Sequence, residues 1–535
     1  MSNTAARLIA RRLYNAGCRH VFGIPGGEVL DLLDALEAER LRFTLCRHEN
    51  AGGFMAEGAH HASGAPGVLL ATIGPGLVNG LNAVVNALQD QVPLIVLSGA
   101  LDGAEAATYT HQIFDQNAVM RPITKASFTA ADGAVDVIID KAVAIALADP
   151  PGPVHVDLPL NVATKEQTVR PALYVPPAAK VAPASSAELT AAQVLIAKAG
   201  RPLMIAGVGA VHHKAGDTIT AICRDHNIPL LTTYKGKGLM PEDDALCLGG
   251  FGLSPESDRI VQPLIEQADL IILAGYDPVE MRVGWRGLWE ADKAIDVAHV
   301  PARHGMHSAT VSFVGSVKAG LGRLFEGAAL HPVWDNGAPD KIRSELQSFF
   351  ANQGAWGPHQ AFATARAVMP ASTVVTTDSG AHRILLSQMW KTQAPKTFLQ
   401  SSALCTMGIA VPMALGYKQA APDTPVLAVV GDACFEMVAG ELATLRDQNL
   451  PVIIMVMVDQ SLSLIDLKQE RTGLDNRGVL FGQTDYVKLA QAFGGYGCVV
   501  TSADALKQEL VSAMGRQVFT VLACEIDKKT YWGAF

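Results

Sequence analysis

Two aspartates, Asp432 and Asp459, stand 27 positions apart, and each closes an apolar run, 426–430 for the first and 451–458 for the second. One strand–helix–strand unit fills that spacing, so both carboxylates can emerge beyond the carboxyl ends of neighbouring parallel strands. A helix starting near Cys434 and continuing to about Arg446 would aim free N–H groups at the same crevice. A pair of carboxylates beside a helix start suits Mg²⁺ shared with a diphosphate, because Mg²⁺ takes oxygen ligands and commonly draws some from phosphates. Ordinary strand-end aspartates are the competing explanation, since short motifs recur by chance. Glu49 opens a helical segment in 46–58, where a carboxylate is either a helix-dipole partner or an acid–base group. Met407, read from its residue type alone, is a gap-filling core methionine. Eight cysteines are scattered without a C-x-x-C pair, which argues against a zinc site or a disulfide framework. A reducing, cytoplasmic setting fits that usage.

The elements that must position these groups follow from apolar patterning. The chain has 535 residues, more than one hydrophobic core usually serves, and 49% of them are apolar. Proline-rich stretches at 169–186 and 331–340 read as linkers and divide it into thirds: 1–168, 187–330 and 341–535. Each third alternates strand-length apolar runs with helical segments. The runs are 67–73, 92–98 and 154–156, then 202–206, 229–232 and 270–274, then 373–377, 426–430 and 451–458. Uniformly apolar strands between helices predict parallel sheets covered on both faces, hence three doubly wound α/β domains. The first residues read as a helix capped by Thr4, with Leu8, Ile9 and Leu13 on one face, rather than as a presequence. A net charge of −9 without a basic run argues against nucleic acid. Apolar runs of strand length argue against a membrane span.

The run from Gly431-Asp432-Ala433-Cys434 to Asp459-Gln460-Ser461 resembles the thiamine-diphosphate enzyme signature, a Gly-Asp-Gly followed one such unit later by Asn-Asn. Ala433 departs from the second glycine and Asp459 from the first asparagine. The resemblance implies Asp432, Asp459 and the backbone carbonyl of Ser461 as Mg²⁺ ligands. It implies Gly431, Ala433, Cys434 and Leu462 around the diphosphate. Arg47-His48-Glu49 resembles the family's Arg-His-Glu motif, which implies that Glu49 meets N1′ of the cofactor's aminopyrimidine and promotes loss of the thiazolium C2 proton. Cys405-Thr406-Met407-Gly408 resembles the Gly-Thr-Met-Gly stretch of acetolactate synthases. It implies Thr406 beside the cofactor and Met407 as the wedge that bends it. Asp378-Ser379-Gly380-Ala381-His382 resembles a diphosphate turn, with His382 as its contact. The turn from Gly74 to Asn79 resembles one near the pyrimidine. These likenesses span nearly the whole chain and imply, in order, pyrimidine-binding, central and diphosphate-binding domains. They also imply a homodimer or homotetramer with active sites at the subunit interface.

Thr110-His111-Gln112 and Pro122-Ile123-Thr124-Lys125 are similar to catabolic acetolactate synthases. That implies Gln112, with His111 beside it, as substrate contacts, and pyruvate-like 2-oxo acids or aldehydes as substrates. Lys468 stands where the biosynthetic branch has an acceptor-selecting tryptophan. Gly207-Val208-Gly209-Ala210 is a weak FAD signal, and FAD is not expected. The expected activity is decarboxylation of a 2-oxo acid with transfer of its acyl-anion equivalent to a carbonyl acceptor. The alternatives are a non-ligating decarboxylase, a lyase or carboligase acting on an acyl-CoA or a sulfonated aldehyde, and a catalytically dead paralogue that binds partners.

Overall fold

The computed structural model describes residues 3–108, 110–172, 179–334, 337–351 and 354–535. Residues 173–178 and 335–336 of the two expected linkers lie outside them. Within the second expected linker, the helix Ala338–Phe349 has already begun.

The fold is three parallel six-stranded sheets with helices between strands. The first sheet contains β1 (His20–Ile24), β2 (Arg42–Leu45), β3 (Gly67–Ala71), β4 (Leu94–Ala100), β5 (Ala126–Thr129) and β6 (Pro153–Pro159), in the order β2-β1-β3-β4-β6-β5. The second contains β7 (Pro202–Ala206), β8 (Leu230–Thr233), β9 (Cys247–Phe251), β10 (Leu270–Ala274), β11 (Ala294–Ala298) and β12 (Val311–Val314), in the order β12-β11-β10-β7-β8-β9. The third contains β13 (Val374–Thr377), β14 (Phe398–Gln400), β15 (Val426–Gly431), β16 (Ile453–Val458), β17 (Tyr496–Val500) and β18 (Thr520–Glu525), in the order β14-β13-β15-β16-β18-β17. Numbered from its own first strand, the third sheet has the same order as the first. The middle sheet has the doubly wound dinucleotide order, with its switch point between β7 and β10.

Burial explains why β15 and β16 are apolar throughout. Leu427, Val429, Met455 and Met457 face one core, while Ala428, Val430, Ile454 and Val456 face another. Alternation along a strand sends successive side chains to opposite faces, and here both faces are covered. Each fully buried Leu, Ile or Val contributes about 1.5–3 kcal/mol relative to exposure. Gly431 pairs with Met457, so the chain leaves both strands at nearly one level and delivers Asp432 and Asp459 side by side.

Two helices join the first and third sheets. The helix Glu49–Ser63 crosses the helix Ala410–Ala420 at backbone contact. A Cβ at Gly58 would stand 2.1 Å from Met413 O, and one at Gly416 would stand 1.8 Å from Met55 O. Glycine at both positions lets the helices meet this closely. Glu49 opens one of these helices, and Met407 lies three residues before the other, so this crossing fixes their relative position.

The N-terminal segment is the expected helix, Ala5–Asn15, with the Thr4 hydroxyl accepting from Arg7 N–H. One expectation fails. The helix after Asp432 is not continuous to Arg446 but splits into Asp432–Glu436 and Glu441–Asp447. Gly440 sits at the break, where a Cβ would come within 3.5 Å of Arg47. The turn lets Glu441 Oε1 accept from the N–H groups of Arg47 and His48, which anchors the chain just before Glu49. Among the described residues, no helix is long and apolar enough to cross a membrane.

Candidate active site

The loop after β15 and the loop after β16 are tied to each other through Asp432. Its Oδ2 accepts from the backbone N–H of Asp459 (3.0 Å) and Gln460 (2.7 Å), and its Oδ1 accepts from Ala433 N–H at 2.9 Å. Gln460 reaches this position with φ of 56°, in the left-handed region. Asp459 Oδ1 accepts from Ser461 N–H (3.1 Å), and its Oδ2 accepts from the Ser463 hydroxyl (2.6 Å). Ser461 is buried.

Burial raises both carboxyl groups above the usual range. For Asp432, the three N–H donors partly offset the desolvation. Asp459 is pushed up to about 7 by burial first and by the Asp432 charge second. Two desolvated, mutually repelling carboxylates are stabilised by a shared cation. Among the described residues, no group of three or more His, Cys, Asp or Glu side chains could hold a metal ion. An ion at the Asp432–Asp459 pair would therefore need oxygens from backbone and ligand, as Mg²⁺ bound with a diphosphate has.

These aspartates line a cavity of about 380 Å³ with His382, Met407, Gly431, Ala433, Cys434, Ser461, Leu462 and Lys468. Its wall carries four buried polar atoms without a partner among the described residues, Ser379 Oγ, His382 Nε2, Arg383 Nε and Tyr531 OH, and Asp378 Oδ2, next in sequence to Ser379, is likewise unpartnered. His382 is lowered to about 3 by burial and then by Arg383, so its imidazole is neutral. Its ring lies over Gly431, where an added Cβ would stand 3.2 Å away. Asp378 is raised to about 7 by burial, against N–H groups that include that of Ile409, at 2.7 Å from Oδ1. Unspent buried donors beside a helix start and a carboxylate pair fit a metal-bound diphosphate.

The support under Met407 comes from the first sheet's helices. Asp90 accepts from the N–H groups of Ser402 (3.2 Å) and Ala403 (3.0 Å), and the Lys235 ammonium lies 2.8 Å from it. The Ser401 hydroxyl donates to Asn86 Oδ1 at 2.6 Å, and Asn82 Nδ2 donates to the Thr406 hydroxyl at 2.9 Å. Thr406 thus sits against the first domain of its own chain and does not line the cavity.

Glu49 belongs to a second cluster. It is 5% exposed, Oε2 accepts from Asn79 Nδ2 at 3.0 Å, and the Gly74–Asn79 turn folds over it. Gly76 makes room, since a Cβ there would lie 3.2 Å from Glu49 Oε1. Gln112 packs its backbone against Gly74, with φ of 60°, while the Gln112 and His111 side chains are exposed. None of Glu49, Gly74, Asn79, His111 or Gln112 lines the cavity that holds Met407 and the aspartates. Within one chain the expected site residues therefore form two separate halves.

Several residues with a bearing on the site have no motif to mark them. Arg282 reaches the cavity from the loop after β10, and Arg383 and Tyr531 also line it. Arg282 follows a strand at the middle sheet's switch point, a position that topology marks and sequence spacing does not. At that same switch point the glycines are closed off by the chain itself. A Cβ at Gly209 would stand 2.3 Å from His299 Nδ1, and one at Gly207 would stand 2.8 Å from Gly275 O. Glycine at both positions lets the loop pack this closely against its own neighbours.

Comparison with known proteins agrees with this arrangement. The thiamine pyrophosphate enzyme N-terminal TPP binding domain matches residues 3–119, the central domain of that family 189–324, and its C-terminal TPP binding domain 378–524. The acetolactate synthase large subunit of Parasynechococcus marenigrum is 30% identical over 99% of this chain and 88% of its own length. The acetolactate synthase of Bacillus subtilis is 28% identical over 98% and 94%. The probable 2-ketoarginine decarboxylase AruI of Pseudomonas aeruginosa is 31% identical over 97% and 93%. With two thiamine-diphosphate-binding domains flanking a central one, and likeness along its whole length, the chain belongs to the thiamine pyrophosphate enzyme family and is acetolactate synthase-like.

Proposed function

We propose that this enzyme decarboxylates a pyruvate-like 2-oxo acid and transfers the acyl-anion equivalent to the carbonyl of a second 2-oxo acid. The observation that carries the proposal is the charge of the cavity beside Met407. Among the described residues its lining carboxylates are Asp432 and Asp459, which a Mg²⁺ ion would neutralise, and Arg282, Arg383 and Lys468 remain as cations. Such a wall attracts an anionic acceptor and repels a cationic side chain. This disfavours a guanidinium-bearing 2-oxo acid, the substrate class in the name of the Pseudomonas relative.

Thiamine diphosphate supplies the nucleophilic carbon and the electron sink that decarboxylation requires. The chain's own residues do the rest. Asp432, Asp459 and the Ser461 carbonyl would hold Mg²⁺, and His382 would donate to the diphosphate. Met407 would support the cofactor from below. Glu49 would share a proton at N1′ of the aminopyrimidine, with Asn79 keeping its carboxylate oriented. Lys468 and Arg282 draw in the acceptor carboxylate, and Gln112 and His111 close the site from the other half.

The division into two halves supports a site completed by a second copy of the chain. Val78 and Phe114, in the Glu49 half, are 45% and 37% exposed, and Met437 and Ile465, in the cavity half, are 63% and 42% exposed. Apolar residues left uncovered on both halves suit burial against each other across a dimer.

Incubation of the holoenzyme with pyruvate tests the reaction. Acetolactate is the expected product. Acetaldehyde without acetolactate would make the enzyme a simple decarboxylase, and no turnover of pyruvate would exclude this donor.

A further inference from the structure

The three domains meet at a cavity of about 890 Å³ that shares no lining residue with the site described above. The first domain contributes His60, the central domain His212 and Lys214, and the third Lys396. Arg224 also lines it but is engaged with Asp244 at 2.8 Å. One carboxylate, Asp217, lies on the wall. The ammonium groups of Lys396 and Lys214 have no hydrogen bond or ion pair among the described residues.

The field in this cavity is positive on balance, with Lys396 and Lys214 against the single carboxylate of Asp217. Burial lowers the Lys396 ammonium below the usual lysine range, and Lys214 and Lys235 lower it further. Burial also holds His60, His61 and His212 neutral, and each feels the Lys396 charge. Lys235 is satisfied by Asp90, and His213 by Asp149 at 3.0 Å, so neither acid is free to neutralise Lys396. Lys396 and Lys214 both hold left-handed backbone, with φ of 61° and 49°, where residues other than glycine are uncommon. Lys396 is partly buried and Lys214 exposed at the cavity mouth, and an anion between them would offset their mutual repulsion.

We propose that this three-domain junction binds a small-molecule phosphate, free or as a monoester, with its oxygens accepting from Lys396 and Lys214. A tetrahedral dianion offers several acceptor oxygens and enough charge for both ammonium groups, and the imidazole N–H of a neutral histidine can complete its shell. The volume admits an organic substituent as well as the phosphate. A smaller cavity sharing His60, His212 and Lys396 continues to Lys235 and Ser402, at the root of the loop that carries Met407. Occupancy would tie the three domains together next to that loop.

The test uses the holoenzyme with saturating thiamine diphosphate and Mg²⁺, so that the diphosphate subsite is filled. Inorganic phosphate and adenosine monophosphate are titrated separately by calorimetry at constant ionic strength. One saturable site per chain is expected. Lys396→Met and Lys214→Met should each weaken binding at least about tenfold, and Lys396→Arg should retain it. Tighter binding of the nucleotide identifies an ester ligand, and tighter binding of phosphate identifies the free anion. A tungstate-soaked wild-type crystal should show an anomalous peak between Lys396 and Lys214, a readout independent of how the variants fold. Absence of saturable binding, equal binding by both methionine variants, or a tungstate peak only elsewhere would overturn the proposal.

Discussion

Replacing Gly416 by alanine should weaken both the fold and catalysis, although alanine is the better helix former. The added Cβ would stand 1.8 Å from Met55 O and 2.5 Å from Met55 C, where ordinary contact begins at 3.4 Å. The neighbour is helix backbone and cannot rotate away, so the helices Glu49–Ser63 and Ala410–Ala420 must part by about 1 Å. Overpacking of this kind costs about 1–3 kcal/mol. Taking the upper end for a backbone clash, and subtracting about 1 kcal/mol for helix propensity, leaves about 2 kcal/mol of destabilisation. The same displacement separates Glu49 from the segment that carries Met407. A misplacement of about 1 Å can lower turnover about 10²-fold. Gly322→Ala is the control, because that helical glycine is exposed and a Cβ there meets nothing within 4 Å. It should be neutral or stabilising by about 0.5–1 kcal/mol. Denaturant melts and steady-state turnover of both variants read the difference. If Gly416→Ala matched Gly322→Ala in stability and activity, the crossing would not be the constraint inferred here.

Other outcomes follow from the same geometry. Asp432→Ala removes an anionic ligand and the acceptor for two loop N–H groups, so the variant should lose metal and cofactor together. Unchanged thiamine diphosphate affinity by fluorescence titration would contradict the assignment. Glu49→Gln should bind cofactor but slow exchange of its C2 proton about 10²–10⁴-fold, as read by proton NMR of the bound cofactor. Lys468→Met should raise KM for a 2-oxo acid acceptor by the equivalent of about 1–3 kcal/mol while sparing neutral aldehyde acceptors. Equal losses with both acceptor types would show that Lys468 does not read charge.

The parts legible in the sequence were those whose physics is local. The central strands β3, β4, β7, β10, β15 and β16 are buried on both faces, and their continuous apolar runs announce them. The strands that escaped notice include β5, β12 and β14, which are short or half-exposed and lack such runs. The carboxylate pair was legible because strand-end position and spacing alone bring Asp432 and Asp459 together. The break at Gly440 was not, because the N–H groups that Glu441 meets there belong to Arg47 and His48, 394 and 393 residues away in sequence. Arg282 escaped for a similar reason, since only the packing of the middle domain on the third brings it to the cavity. Glu49 and Met407 were recognisable by resemblance, but their placement in separate halves of one chain is a property of the folded domains.

The account stands on an active site built from Glu49 of one chain and Asp432, Asp459 and Met407 of another. Mixing Glu49→Gln chains with Asp432→Ala chains, each inactive alone, tests this directly. In a hybrid dimer one site would inherit both lesions and the other neither. Activity should therefore reappear on mixing and refolding, approaching half the wild-type turnover per hybrid dimer. A mixture that forms hybrids but stays inactive would place Glu49 and the aspartates in the same chain's site and contradict the account.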